Sequence, residues 1–499
     1  MRTGLLGREA ATGVVCPGSR SSTTRKLVGY GKPAYTESTS IAAERGFRMI
    51  RFRPCGCLAL IAVLSLTSIS TAKETAAQRG YRLLTTKPYL PPDFQQDVFD
   101  ETWRVWEQPA RTKAEGAASD ERRAMAFSRY GLTPRPEDPT MPLQYVVDSQ
   151  GNWCMSCLAC HQGKVGGRVV PGVANSHFAL QTLTEEIRQT KLRLKKPLTR
   201  MDVGSMFMPL GGTHGTTNAV MFGVVLMSHR DVDLNVQENN PLPTMTHHDH
   251  DAPAWWLFRR KSRIYIDGFA LKTHRALMQF TLVKENGPEV FPEREDDFRD
   301  IFAYLQSLEP PKYPYEIDRS SAEQGRGVFN QHCASCHGTY GVNGKYPEKC
   351  VPIEEVATDR VRHDALLPHH REAYGKSWFT HYGRDKIIVD PGGYVAPPLD
   401  GVWATSPYFH NGSVPTLWHV LHPSERPTVW QRTENGYDPE KVGLESQSFD
   451  RLPPEVKTAV ERRRYFNTRQ FGKSAAGHDF PDALDDAEKI AVLEYLKTL

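Results

Sequence analysis

The sequence predicts a mainly α-helical protein built from two tandem, enlarged domains. Three observations predict it. A C-x-x-C-H motif occurs twice, at 157–161 and 333–337. An amphipathic helix closes each half, within 295–308 and 485–499. A Pro-rich stretch, EPPKYPYE (309–316), lies between the halves. The expected domains are residues 73–310 and 319–499, joined by a linker over 311–318.

The start of the chain is basic and then apolar. Of the 62 Lys and Arg, ten lie in residues 1–72 against three Asp or Glu, which leaves 52 against 55 in the remainder. That balance excludes nucleic-acid binding as the basis of function. Arg48, Arg51 and Arg53 precede the apolar run CLALIAVLSL (57–66), and SISTA ends on small residues at Ser70 and Ala72. This predicts a cleaved secretory signal peptide over 49–72, with 1–48 an over-extended start. The alternative is an uncleaved anchor helix, although the apolar run is short for a span. A periplasmic or secreted protein follows, with no stable membrane span in the mature chain.

Residues 73–150 are polar and Pro-containing, with short helical stretches such as 94–107. In 295–308, helical spacing puts Phe298, Ile301, Phe302, Leu305 and Leu308 on one face. In 485–499 it does the same for Ile490, Leu493, Leu496 and Leu499. Both helices begin with acidic residues, which suit the positive end of the helix dipole, and both end in Tyr-Leu-x-x-Leu.

The C-x-x-C-H motif carries the chemistry of covalent haem attachment. Two thiols add to the haem vinyl groups, and the adjacent His supplies the proximal nitrogen to iron. The chain is therefore expected to hold two haems c, at Cys157, Cys160 and His161 and at Cys333, Cys336 and His337. A zinc site with four thiolates is the bland alternative, but the Cys pairs lie 176 residues apart and each carries the trailing His. Cys154 forms a further C-x-x-C with Cys157, but Leu158 rather than His follows it. Cys154 and Cys350 are left over, either free or bridged. Calcium stays open as a further cofactor; no motif specifies it.

No methionine follows Met278, so the second half has no thioether of its own to place opposite His337. A second imidazole is expected there, with a low potential. His410 is the favoured sixth ligand, with His419 and His422 as rivals. In the first half His177, sixteen residues after His161, is favoured, with His214, Met206 and Met208 as rivals and an open site as the remaining case.

The segment SAEQGRGVFNQHCASCH (321–337) resembles the first helix and haem motif of class I cytochromes c. That likeness implies that Gly325 and Phe329 pack against the C-terminal helix, and it makes the expected fold two tandem, enlarged class I cytochrome c-like domains. The stretch PYFHNGSVPTL (407–417) resembles a signature of the bacterial dihaem cytochrome c peroxidase superfamily, which includes the amine-processing dihaem enzymes and the secreted dihaem rubber oxygenases. In the peroxidases a His after the first motif caps the reactive haem, and His177 matches that spacing. Their second haem takes a Met where Ser424 stands here, a departure from the pattern. The rubber oxygenases, whose second haem is bis-His, are similar on that point.

The block THHDHDAPAWWLFRRKSRIYIDG (246–268) joins His247, His248, His250 and Asp251 to Trp255, Trp256 and the cations Arg259, Arg260, Lys261 and Arg263. It reads either as haem-propionate contacts or as a core aromatic pair beside a solvated basic strand. The His/Asp cluster reads as a polar loop or a metal site. The leading functional expectation is electron transfer coupled to reduction of peroxide or activation of dioxygen, with a small redox protein or quinone-linked donor as partner. No catalytic acid or base stands out, although Glu185 and Glu186 are possible sources. The alternative is a non-enzymatic periplasmic electron carrier or the cytochrome subunit of a redox complex. From His161 to Leu308 is 147 residues and from His337 to Leu499 is 162, more than a bare carrier domain needs.

Overall fold

The computed structural model describes residues 73–499. The expected over-extended start and signal peptide lie outside the described residues. Among the described residues no helix is long and apolar enough to cross a membrane.

Two helix crossings organise the molecule. Helix α1 (Ala76–Thr86) starts on a capping box between Thr75 and Gln78 and packs on α2 (Glu295–Ser307). Helix α3 (Arg319–His332), capped by Asp318, packs in the same way on α4 (Asp486–Leu496), capped by Asp485. Each crossing is closed by a glycine. A Cβ on Gly80 would lie 2.1 Å from Asp300 O, and one on Gly325 would lie 1.9 Å from Ala491 O. Arg79 locks the first crossing with two 2.7 Å hydrogen bonds to the Asp300 carboxylate. Gly325→Val should therefore cost about 3 kcal/mol or more, because the backbone of α4 has nowhere to move. Urea unfolding of the haem-loaded protein checks this; a loss under about 1 kcal/mol would show slack in the crossing.

On α2 the expected face is buried at Phe298, Ile301, Leu305 and Leu308, with Phe302 partly so. On α4 the expectation needs correction. Ile490 is 47% exposed, and the buried face is Ala491, Val492, Leu493, Tyr495 and Leu496. The crossing on Gly325 turns the helix by this much, since Ala491 and Val492 must sit against the glycine.

Helices predominate, but the fold is mixed rather than simply α. Among the described residues, six small antiparallel sheets interrupt the helices. The largest strands, Val429–Asp438 and Gly443–Phe449, form a three-stranded sheet with Tyr465–Asn467. The segment 308–318 has no helix or strand, as a linker should, yet it is pinned to the second half. Trp403 Nε1 donates to Pro311 O at 2.9 Å, and Tyr313 OH donates to Pro439 O at 2.8 Å. One apolar core holds residues of both halves, from Leu84 through Trp256 and Phe329 to Leu496. The described residues accordingly belong to one compact unit.

Glu295, at the start of α2, gathers His274 (2.8 Å), Arg275 (3.0 Å) and Arg299 (3.0 Å). Burial pushes its carboxyl up, but the hydrogen bonds from Arg275 and His274 win and hold it at about 2, below the usual 4.5. A lowered folded pKa stabilises fully above pH 4.5, and that stability is lost as pH falls through 2. Glu295→Gln should thus cost about 1–2 kcal/mol at neutral pH, since solvent screens part of the pairing. The gap to the parent protein should close between pH 4.5 and 2, read by unfolding at a series of pH values.

Candidate haem sites

The first motif follows the strand Asn152–Met155 and occupies one short helical turn, Leu158–His161. Its two cysteines are free and half-buried. Burial pushes Cys157 up to about 11 and Cys160 up to about 12, so both stay protonated thiols, the form that adds across a vinyl group. His161 Nδ1 lies 3.1 Å from Pro253 O. A carbonyl can only accept, so Nδ1 carries the proton and Nε2 is left bare for a metal. Burial also lowers His161 to about 4, which keeps the ring neutral and competent to ligate. The Trp255 indole stacks on this imidazole, centroids 4.7 Å apart and planes 20° apart.

The second motif repeats the arrangement. Cys333 ends α3, and Ala334–His337 adds one turn. Burial raises Cys333 to about 11. His337 Nδ1 lies 2.9 Å from Pro397 O, which again fixes the tautomer and frees Nε2. Tyr340 OH donates to His337 O (3.0 Å) and accepts from Leu399 N (2.6 Å), tying the motif to the loop that carries Pro397.

The imidazole of His478 comes to within 6.1 Å of that of His337, centroid to centroid, with the two planes 63° apart. Two imidazoles on opposite sides of one metal ion, each nitrogen about 2 Å from it, need about this separation. The residues present therefore fit a haem. His478 is held in the left-handed region, φ +54°, directly after Gly477 at φ +78°. Its N–H donates to Val356 O at 2.7 Å, and Arg426 donates to Ala475 O (2.8 Å) and Gly477 O (2.6 Å). This clamp offsets the strain of a non-glycine residue in that conformation. Burial, then the charges of His337 and Arg426, hold His478 at about 3.

The favoured His410 lies elsewhere. Its ring packs against Tyr394 (4.7 Å) and His250 (6.2 Å), and its carbonyl accepts from Asp251 N (2.9 Å). The rivals are used locally: His419 Nδ1 meets Thr416 Oγ1 at 2.7 Å, and His422 stacks on Trp418. His478 is one of eight histidines after the second motif, and its spacing does not set it apart from the others. A glycine before it and an aromatic residue two positions after it were the only local signals.

His177 sits in a loop tied to the first motif, since Asn175 N donates to Cys160 O at 2.8 Å. Its Nε2 is buried and makes no hydrogen bond of good geometry, as is the case for His214, although the Thr433 and Glu434 carbonyls lie close enough to raise the His177 pKa. Burial, then the charge of Arg432, lowers His177 to about 3, and the same two causes put His214 well below its usual value. The three-stranded sheet of the second half walls this region. Arg432 donates to His214 O (3.2 Å), and His214 N donates to Arg463 O (2.9 Å). Met206 is 61% exposed, whereas Met208 is buried. Glu186 is bound to Arg129 and Tyr130, and Glu185 to Arg463, so both carboxylates serve packing. Cys154 is buried, Cys350 is exposed, and both are free thiols. Arg259 pairs with Glu309 and Arg260 with Asp400. Among the described residues no group of three or more His, Cys, Asp or Glu is arranged to hold a metal ion.

Residues 393–431 match the family described as RoxA-like, cytochrome c-like. This segment contains Pro397, His410 and the whole of PYFHNGSVPTL. It relates the chain to cytochromes c of the rubber-oxygenase kind and implies haem c binding. The chain is also similar to two proteins of Sinorhizobium fredii. The uncharacterized protein y4iM is 31% identical over 242 residues, which is 39% of this chain and 52% of its own length. The uncharacterized protein y4iJ is 29% identical over 258 residues, 38% of this chain and 41% of its own. The chain thus spans about half the length of the curated relatives it matches, or less.

Proposed function

We propose that this chain is a dihaem c-type cytochrome of the periplasm or cell exterior, with two tandem cytochrome c-like domains. In this reading the His337–His478 site relays electrons, and the His161 site offers the exchangeable face where peroxide or dioxygen is reduced or activated. The relation to dihaem peroxidases is part of the proposal, as is a small redox protein or quinone-linked donor.

One observation carries it: the two motifs are built alike on the proximal side and differ beyond it. Both proximal imidazoles are fixed through Nδ1 by a proline carbonyl. His478 brings a second imidazole to within 6.1 Å of His337, whereas the ring paired with His161 among the described residues is the Trp255 indole, stacked beside the imidazole, and no second imidazole is paired with it. The repeated glycine crossings, Gly80 on α2 and Gly325 on α4, support the tandem domains.

A haem at each motif supplies a one-electron couple and, where one face is open, a place for an oxygen ligand. The chain does the rest. Cys157 and Cys160, and Cys333 and Cys336, anchor the macrocycles. Pro253 and Pro397 orient the proximal rings. Arg426 holds His478 closed over the second site. His177 and His214, neutral and with Nε2 free, are the groups available near the first motif to hold or pass a proton.

The same free Nε2 atoms favour a second reading, in which His177 or His214 closes the first site and the protein is a carrier. Electron paramagnetic resonance of the oxidised protein separates the two. A high-spin centre, or one altered by cyanide, supports the enzyme; two low-spin centres indifferent to cyanide and peroxide overturn it. Turnover with hydrogen peroxide and a reduced small cytochrome, beside oxygen uptake with polyisoprene, distinguishes the two reactions.

A further inference from the structure

Asp267 is fully buried between two arginines that are nearly so. Its Oδ2 accepts from Arg371 NH2 (2.9 Å) and Arg362 NH2 (3.2 Å), and the side chains of Asp267, Arg362 and Arg371 are 0%, 1% and 3% exposed. One carboxylate answers two guanidinium groups, so the cluster holds one positive charge in excess. It also holds donors without acceptors. Arg362 Nε and NH1, Arg371 Nε and Tyr265 OH are all buried with no hydrogen-bond partner. Unpaired buried donors of this kind cost about 1–3 kcal/mol each, more when charged. Four of them around an uncompensated charge mark the place of an anion with several acceptor lone pairs.

The position of the cluster says which anion. Ile266, beside Tyr265, accepts from Val395 N at 2.6 Å, two residues before the proline that fixes His337. On the other side, Val361 and Arg362 come three and four residues after Thr358, the end of the segment 356–358 whose backbone meets Gly477 and His478. The donors therefore lie between the two loops that carry the opposed imidazoles of the second site. The cations expected for this task, Arg259 and Arg260, are already occupied by Glu309 and Asp400.

We propose that Arg362, with Arg371 and Tyr265, forms a carboxylate site filled by a propionate of the haem held at Cys333, Cys336 and His337. This rests on the dihaem reading above. Arg suits the task because its planar fork pairs with both oxygens of a carboxylate. Asp267 then acts as a positioning residue that fixes the two guanidinium groups while leaving one charge free.

The test uses full-length protein matured with haem labelled with 13C in its propionate carboxyls. Reduced-minus-oxidised infrared difference spectra are recorded for the parent, Arg362→Gln and Tyr265→Phe, with haem counted as pyridine haemochrome. Two haems per chain in each protein, together with a labelled carboxylate band displaced in both variants, is the expected result. Tyr265→Phe removes only a hydroxyl, so it keeps the test open should Arg362→Gln fail to fold. Labelled bands identical in all three proteins overturn the propionate assignment. If, in addition, acetate raises the melting temperature of the parent and not of Arg362→Gln, the site takes a free carboxylate instead. A haem count below two in the parent would sink the dihaem reading itself, a failure separate from that of the carboxylate site.

Discussion

Replacing His478 with alanine should, if the chain carries the two haems proposed for it, convert one from low-spin to high-spin and leave the other unchanged. The expectation rests on the 6.1 Å separation of the His337 and His478 rings and on the clamp that holds residue 478 in place. An iron with two imidazoles is low-spin and of low potential; removing one leaves a vacant or water-filled face. The effect is large because nothing local replaces the lost ring. The ring neighbours of His478 other than His337 are Phe409 and Phe480, which cannot ligate. His478→Met should keep the iron six-coordinate but raise its potential, because a thioether stabilises the reduced form. Electron paramagnetic resonance and a redox titration read both outcomes. Low-spin intensity unchanged in His478→Ala would mean that another residue faces His337, with His410 next in line.

Changing Cys157 and Cys160 together to serine should halve the covalently bound haem, from two per chain to one. The serine hydroxyl does not add to a vinyl group, so the macrocycle loses its tether, and His161 alone is a weak hold. The surviving centre should be the low-spin site of His337 and His478, since none of its partners touches the first motif. The matching change at Cys333 and Cys336 should halve the haem as well, but it should also lower stability. That motif continues directly from α3, whose Phe329 lies in the core against Tyr495 of α4. Intact mass and pyridine haemochrome give the count, and denaturant unfolding gives the stability. A full complement of haem in either variant would show that the attachment residues are others.

The parts of the site that could be read from the chain are those that lie next to one another in it. Cys157, Cys160 and His161 fall within one helical turn, so their common target follows from spacing alone. The glycine crossing of α3 on α4 was also legible, but through the resemblance of 321–337 to the first helix and haem motif of class I cytochromes c, which implies that Gly325 and Phe329 pack on the C-terminal helix. The equivalent α1 was not, although Gly80 and Leu84 repeat the spacing. Some seventy residues part α1 from its motif, and its polar face dominates the sequence signal. Ile490 was misplaced because helical periodicity fixes which residues share a face but not which face the neighbour covers.

His478 and Arg362 were beyond reach for another reason. His478 is 141 residues from His337, and its role depends on a backbone conformation imposed by Gly477, Val356 and Arg426. An arginine in sequence is usually a solvated charge; Arg362 matters because the fold buries it beside one carboxylate too few.

By itself the sequence showed two C-x-x-C-H motifs, an imidazole directly after each cysteine pair, and no methionine after Met278, since these follow from residue identity at short range. Only the tertiary structure brings His478 to within 6.1 Å of His337 and buries Arg362 and Arg371 against the single carboxylate of Asp267. Both depend on burial and opposition in space, which a linear spacing does not encode.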